Sequence, residues 1–565
     1  MVDYDNPLIV QSDATVLLEV ASPKADDARA ALARFAELEK SPEHIHTYRI
    51  TPLSLWNAAS AGVSSDDVAA TLVDYAKYPV PEAVVVDVRD QMGRYGRLRL
   101  VRDFDSGGLA LTTPEPALLA EVARDRQVAA LLGDRLDGNR YAVRLGDRGL
   151  LKQALLRLGW PAADEAGYEQ GTALAVALTA RLRSYQADAV ATWWADGSAA
   201  GGNGVLVLPC GAGKTVIGLA AITQAGASTL IVVTSILAAR QWIAEIRDKT
   251  DLPAEAVGEY SGERKQVRPI TVATYQVLTW RDPAAPDDAE LAVAHPHLGL
   301  FDAQRWGMVI YDEVHLLPAP VFRATAQIQA VRRLGLTATL VREDGKEPDV
   351  FALIGPKRFD APWRDLETQG WIAPARCTEV RVDLGDEQRM RYATAPQQQR
   401  YRIAASAPAK LPVLEALVAR HAGDRVLVIG QYLDQLKTVA ELLGAPLVTG
   451  QTSQAVREER FAAFRDGDLR LLVVSKVANF SIDLPEANVA VQISGAFGSR
   501  QEEAQRLGRI LRPKADGGQA SFYTLVCRET VDQSFAANRQ RFLTEQGYAY
   551  TILDAVEVVA AVTDS

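Results

Sequence analysis

"GVLVLPCGAGKTVIGLAAI", residues 204–222, decides how the rest of this chain is read. A β-branched run ends at Pro209, a glycine-rich turn follows, and an apolar helical stretch begins at Lys214. Strand, turn and helix in that order are the setting a phosphate-binding loop requires. The usual pattern, G-x-x-x-x-G-K-[ST], opens on glycine, whereas here Leu208 holds that position. Leu208 sits where the strand is ending, upstream of the amides that wrap a phosphate, so a side chain is tolerable there. Gly211, Ala212, Gly213 and Lys214 would turn backbone N–H groups toward a β-phosphate. Lys214 would reach the β- and γ-phosphates of ATP, and the Thr215 hydroxyl would bind Mg²⁺. Taken alone, the stretch also reads as a plain strand-to-helix turn.

"WGMVIYDEVHLLP", residues 306–318, removes that alternative. A buried strand ending in two acids is what such a fold places beside the loop. Asp312 would hold Mg²⁺ through water, and Glu313 would orient and deprotonate the attacking water. An acidic helix cap is the bland reading of Asp312-Glu313, and it loses force once the phosphate loop stands beside it.

Working outward, "TLIVVTS" and "RPITVATY" are further short apolar runs alternating with helical stretches. That alternation implies an α/β fold with a parallel, doubly wound sheet and active residues at the strands' C-terminal ends. "RDPAAPDDAELAVAHPHLGLFDAQ" interrupts it as an acidic surface insertion. A second series, "DRVLVIGQY", "APLVTG", "RLLVVSKV" and "NVAVQIS", predicts a second similar lobe, with a cleft between the two. The expected divisions are an N-terminal α/β region over 1–165, a linker over 166–181, and RecA-like lobes over 182–365 and 366–545. The second lobe would carry a short thumb-like segment near 382–410, and 546–565 would form a tail.

Bulk properties set limits. At 565 residues the chain has room for about three or four cores. Hydrophobic content of 48% with 23% charged residues describes an ordinary globular protein. No apolar run reaches the length of a membrane span and no signal pattern opens the chain, so the cytoplasm is expected. Three dispersed cysteines exclude a disulfide framework or a C-x-x-C zinc site. The net charge of −10 does not advertise a nucleic-acid binder, although a phosphate-binding groove needs only a local basic surface.

Around the nucleotide residues, "LRSYQADAV" offers Gln186 to an adenine edge and Tyr185 for stacking. "GLTATLVRED" supplies Thr337 and Thr339 at a strand end, hydroxyls able to link Glu313 to more distant contacts. In "SRQEEAQRLGRILRP", Arg509 and Arg512 lie three apart on one helix face and can both point at a γ-phosphate. Polar residues gather at strand ends in both lobes: Thr234, Ser235, Thr274 and Tyr275 in the first, Ser453, Ser475 and Lys476 in the second. Such hydroxyls and amides suit a single DNA strand held by its phosphates. Each also reads as an ordinary strand-terminal cap. Asp483 is expected to tie the second lobe to the ribose or to the first lobe.

The sequence resembles the XPB family of superfamily-2 helicases, bacterial and actinobacterial in type. The resemblance rests on LRSYQ, LPCGAGKT, DEVH, GLTATLVRED, GQTSQAVRE, SKVANFSIDLPEAN and QEEAQRLGRILR, in the family's order over about residues 182–512. It implies an ATP-dependent 3′→5′ DNA helicase or translocase of nucleotide excision repair, acting on single-stranded or forked DNA. A nuclease or another repair protein would be its partner, and it would be nucleoid-associated. By motif match, His315, Thr337, Thr339 and Gln505 would couple hydrolysis to DNA. Arg342, Glu343 and Asp344 match the family's RED element, associated with unwinding. An ATP-switched clamp, or a duplex translocase that separates few strands, is the alternative.

In the N-terminal region, "RDQMGRYGRLRLVRD" alternates Arg97 and Arg99 with Leu98 and Leu100. The arginines would then share one exposed face. This reads as the wing of a winged-helix module that binds duplex DNA, with "YRITPLSLWNAASAG" and "SSDDVAATLVDYA" as its helices. It reads equally as a charged strand whose arginines pair with Asp87, Asp90 and Asp103.

Overall fold

In the computed structural model the described residues are 3–40, 44–103, 108–144, 147–165, 171–197, 201–209, 211–286, 291–317, 321, 332–338, 347–361, 366–367, 369, 371, 374–475, 487–495, 519–545, 548 and 550–563. They fall into two compact units, one formed by 1–208 with 213–360, the other by 209–212 with 361–565.

Each β-branched run that reads as a buried strand becomes one. In the first unit the strands β1 (Leu8–Val10), β2 (Thr15–Glu19), β3 (Glu37–Lys40) and β4 (Ile45–Arg49) make an antiparallel sheet in the order β1-β2-β4-β3. Helices Ala25–Leu32, Pro52–Ser60, Ser65–Tyr75 and Glu82–Arg94 lie along its sequence. They bury Leu32, Leu55, Val68, Leu72, Val84, Val88 and Met92 in one core with its strands. Ser64 begins the third of these helices in a reciprocal capping box with Asp67.

The strands β5 (Leu98–Arg102), β6 (Leu109–Thr112), β7 (Arg140–Val143) and β8 (Ala162–Asp164) form a second sheet, ordered β7-β6-β5-β8. This corrects the winged-helix expectation. The helices expected to precede the wing put their apolar faces into the β1–β4 core, whereas Leu98 and Leu100 enter a separate core with Leu119, Leu151 and Leu155. β5 is moreover an inner strand, antiparallel to β6 and parallel to β8. A local Arg/Leu alternation shows that the strand has two faces; it does not say which helices cover the apolar one.

Seven strands build the third sheet: β9 (Asn203–Val207), β10 (Thr229–Val233), β11 (Val257–Tyr260), β12 (Ile270–Thr274), β13 (Met308–Asp312), β14 (Arg332–Thr337) and β15 (Lys357–Asp360). All pair in parallel, in the order β11-β12-β10-β13-β14-β9-β15. Residues expected to form a linker are laced onto this sheet's surroundings: Leu174 N donates to Gly226 O at 2.8 Å and Thr179 N to Lys249 O at 2.9 Å. At the edge strand β15, Arg358 donates to the Ser60 carbonyl at 2.9 Å, which seats the N-terminal helices on the sheet.

The second unit repeats the plan. Strands β16 (Ala375–Val382), β17 (Val426–Ile429), β18 (Leu447–Val448), β19 (Leu471–Val474), β20 (Val489–Gln492), β21 (Ala520–Cys527) and β22 (Tyr550–Asp554) are ordered β18-β19-β17-β20-β21-β16-β22. The 546–565 stretch is therefore no tail: β22 pairs in parallel with β16, and Val558 of the helix Ala555–Thr563 joins the core. Within the thumb-like stretch lie helices Asp386–Thr394 and Gln397–Ala405. The second is anchored, with Tyr401, Ala404 and Ala405 buried. Among the described residues no helix is long and apolar enough to cross a membrane.

Candidate active site

β9 delivers the chain to Leu208, whose N–H donates to the Thr337 carbonyl at the end of β14, 2.9 Å away. Leu208 is wholly buried. Its side chain continues the strand, so the missing first glycine leaves the turn intact. Gly211 and Gly213 both take positive φ, 85° and 76°, where a Cβ is unfavourable. At Gly213 a Cβ would also stand 2.6 Å from the Gln186 amide nitrogen. The helix Lys214–Ala225 then starts, without a side-chain cap, directly behind the glycine turn.

Gln186 is buried and its Oε1 accepts from the Arg183 N–H at 2.9 Å. Tyr185 is buried as well, and its hydroxyl accepts from Arg183 at 3.3 Å. Burial pushes the Tyr185 phenol up, so it stays neutral. Thr215 is half-buried in the first turn of the helix.

β13 ends at Asp312, and Glu313 follows with φ of 51°, a left-handed conformation unusual for a glutamate. That turn sets the two carboxylates on different partners. The Trp242 indole N–H donates to Asp312 Oδ2 at 2.9 Å, and the Glu313 N–H donates to Asp312 Oδ1 at 3.1 Å. Lys214 Nζ donates to Glu313 Oε1 at 2.9 Å. His315 Nδ1 lies 2.7 Å from Thr337 Oγ1 and 3.5 Å from Glu313 Oε2. Lys214, Glu313, His315 and Thr337 thus form one polar chain across β13 and β14.

Electrostatics separate the two acids. Burial, then the neighbouring Glu313 charge, raises Asp312 from 3.8 to about 6. Burial opposes ionisation of Glu313 too, but the Lys214 ammonium, helped by His315, outweighs it and holds Glu313 below the usual carboxylate range. Two carboxylates share a single ammonium, and the deficit of positive charge suits a divalent cation. Among the described residues no group of three or more His, Cys, Asp or Glu side chains is arranged to cage a metal. Mg²⁺ rarely uses such a cage: one or two protein oxygens plus phosphates are its habit. Asp312 and the Thr215 hydroxyl match that donor set.

Trp242 carries no signal in the sequence. It is almost wholly buried, and a Cβ at Gly218 would stand 2.5 Å from its ring, so Gly218 lets the indole lie against the helix Lys214–Ala225. The bond to Asp312 becomes visible only when those elements are packed together.

Of the proposed DNA contacts, Ser235 and Thr274 cap helices: their hydroxyls accept from Ala238 N at 3.1 Å and Val277 N at 3.3 Å. Tyr275 is buried and donates to the Asp312 carbonyl at 3.1 Å, so its ring supports the acid strand rather than a surface. The Thr234 carbonyl accepts from exposed Gln276 at 2.6 Å. Ser453 is exposed ahead of the helix Gln454–Asp466, and Ser475 is buried after β19. Arg97 pairs with Glu115, and Arg99 lies 3.5 Å from Glu165. Thr339, Arg342, Glu343, Asp344, Lys476, Asp483, Gln505, Arg509 and Arg512 lie outside the described residues.

Three family models match the chain. The ERCC3/RAD25/XPB C-terminal helicase model covers 366–564, the type III restriction enzyme res subunit model covers 179–342, and a helicase conserved C-terminal domain model covers 8–137. The chain is 57% identical over 564 residues to a protein of Kineococcus radiotolerans named DNA 3'-5' helicase XPB, covering 99% of both. The chain belongs to the XPB family. A Mycobacterium tuberculosis protein of the same name is 56% identical over 558 residues, covering 98% of this chain and 99% of that one. A subunit of Antonospora locustae, named general transcription and DNA repair factor IIH helicase/translocase subunit XPB, is 34% identical and matches 98% of this chain and 82% of its own length. Family membership accounts for two parallel seven-stranded sheets in one chain, each a RecA-like helicase lobe.

Proposed function

We propose that this protein is an ATP-driven 3′→5′ DNA helicase that opens or tracks DNA in nucleotide excision repair. The polar chain Lys214–Glu313–His315–Thr337 carries the reading. A dinucleotide-binding or purely structural loop has no use for a water-activating carboxylate tied at once to the phosphate-loop lysine and to a neighbouring strand end.

The amides of Gly211 to Lys214 hold the β-phosphate, and Gln186 meets the adenine edge. Lys214 takes up charge that develops on the transferred phosphoryl group. Thr215 and Asp312 hold Mg²⁺, which when bound neutralises the phosphate oxygens. Glu313 orients the attacking water and accepts its proton, a role suited to a carboxylate kept ionised by its neighbours. Arg509 and Arg512 add positive charge at the γ-phosphate, and Asp483 acts on the ribose. Thr337, Thr339, His315 and Gln505 pass the state of the site toward DNA, where Arg342, Glu343 and Asp344 act in unwinding. Single-stranded or forked DNA is the partner, engaged at Thr234, Ser235, Ser453, Ser475 and Lys476; a nuclease or another repair protein cuts or processes what is opened. Such work places the protein at the nucleoid.

A strand-displacement assay tests this on duplexes with either a 3′ or a 5′ tail. ATP-dependent release from the 3′-tailed duplex is expected. Release from neither, with DNA-stimulated hydrolysis intact, would make the protein a translocase or clamp instead.

A further inference from the structure

The acidic insertion after Trp280 has no part in the scheme above, yet it is built around that residue. Trp280 follows the helix Tyr275–Thr279 and is 46% exposed. Two histidines of the insertion contact this stretch, one at the backbone and one at the ring. His295 Nδ1 lies 3.1 Å from the Thr279 carbonyl and 3.3 Å from the Trp280 carbonyl, which fixes the backbone. The His297 ring packs on the indole with centroids 5.7 Å apart. His297 is itself fixed by Tyr260, whose hydroxyl lies 3.0 Å from its Nδ1 and whose ring meets it edge-on at 5.8 Å. Lys265, exposed, lays its ammonium over the Tyr260 ring at 5.2 Å and bonds the Ser261 carbonyl. The insertion closes on itself through Asp282 N donating to Ala294 O at 3.0 Å and through Arg281 bonding the Ala285 and Pro286 carbonyls.

The sheet register places this cluster. Tyr260 ends β11 level with Ala273 of β12, which is level with Val232 of β10. These are C-terminal strand ends, on the same side of the parallel sheet as the phosphate loop and Asp312. Gln276, on the helix that leads to Trp280, donates to the Thr234 carbonyl at 2.6 Å. The helix that sets Gln276 against the Thr234 carbonyl thus leads directly to an exposed indole.

We propose that Trp280, braced by His297, which Tyr260 holds in turn, is a stacking shelf for a base of single-stranded DNA. Holding an exposed tryptophan still costs side-chain entropy, and the His297 ring against the indole, with His295 on the adjoining backbone carbonyls, reduces its freedom beforehand. An indole stacks on any base through its π-face, so the site takes unpaired DNA without reading sequence. Duplex DNA, whose bases are already stacked, does not use it. The proposal rests on the helicase reading and adds a contact that the phosphate-directed hydroxyls do not provide.

The test measures affinity by fluorescence anisotropy for a short thymidine strand and for an abasic strand of equal length, with wild type, Trp280→Ala, Trp280→Phe and His297→Ala. Trp280→Ala should weaken thymidine-strand binding about 5- to 100-fold, the range of one base stack, and leave abasic-strand binding as it was. Trp280→Phe should keep most of the affinity, and His297→Ala should fall between them. Equal weakening on both strands overturns the shelf, because the loss would then be one of charge or folding. Unchanged affinity on both overturns it too and assigns the patch to a protein partner. Wild type that binds neither strand overturns the helicase reading along with it.

Discussion

Lys214 and Glu313, the two groups that hydrolysis assigns to different targets, are bonded to each other at 2.9 Å. In the proposed reaction the lysine would serve the γ-phosphate and the glutamate the water that attacks it. Their pairing explains how both charges tolerate burial in one small space, since each neutralises the other. Binding a triphosphate then means exchanging one partner of Lys214 for another.

That competition has a measurable consequence. Glu313→Gln removes the charge that Lys214 must leave, so ATP should bind several-fold more tightly while turnover is lost. Equilibrium binding of a fluorescent ATP analogue, alongside steady-state hydrolysis, checks both halves. Weaker binding by Glu313→Gln would show that the pair organises the nucleotide site rather than competing for it.

A second consequence concerns pH. Asp312 holds its proton more tightly in the folded protein, at about 6 against 3.8. The wild type therefore loses stability as pH climbs through that window, by roughly 2–3 kcal/mol. Asn cannot titrate and keeps an oxygen for the Trp242 indole. Asp312→Asn should be the more stable protein at pH 8 in urea denaturation, and its advantage should shrink toward pH 4. It should also hydrolyse no ATP. A stability difference that is flat between pH 4 and 8 would mean that Asp312 titrates normally.

Thr337 links the site to the strand end beyond it through the 2.7 Å contact with His315. Thr337→Val keeps the shape and deletes the hydroxyl. The ratio of DNA-stimulated to basal ATPase should fall several-fold, more than the basal rate itself. Equal loss of both would make Thr337 part of the hydrolytic site.

That Lys214 and Glu313 come together is legible in the sequence because both lie in short local runs with a characteristic spacing. LPCGAGKT and DEVH each lie on one strand end, and buried β-branched runs announce the strands. Trp242 was illegible because its bond to Asp312 joins a helix to a strand distant in sequence. The N-terminal sheets were misread for the same kind of reason: amphipathic helices such as Ser65–Tyr75 show that they have a buried face, but not which strands bury it. β22 reads as part of a tail because "YTILD" is short and half-exposed at a sheet edge, with little alternation to mark it. Tyr275 reads as polar at a strand end, but its ring is large enough to reach back under Asp312.

Arg97 and Arg99 remain open to experiment in a sharpened form. Arg97, just before β5, and Arg99, on its exposed face, each already hold a glutamate, so DNA must displace Glu115 and Glu165. Exposed pairs of this kind contribute little, because solvent screens them, and are easily exchanged. If the face meets forked DNA, replacing both arginines with Ala should weaken binding and flatten the slope of log K against log salt by about one unit per lost phosphate contact. Superimposable lines would confine the pair to holding the β5 sheet to its surroundings.

The most direct test of the account is steady-state ATP hydrolysis by wild type and Lys214→Ala with saturating single-stranded DNA, after matched thermal transitions show both are folded. In the proposed mechanism Lys214 would contact charge that grows in the transition state, so its removal should cost roughly 3–5 kcal/mol of barrier, a loss of about two to four orders of magnitude in kcat. Turnover by Lys214→Ala at the wild-type rate would contradict the assignment of this loop, and with it the ATP-driven helicase.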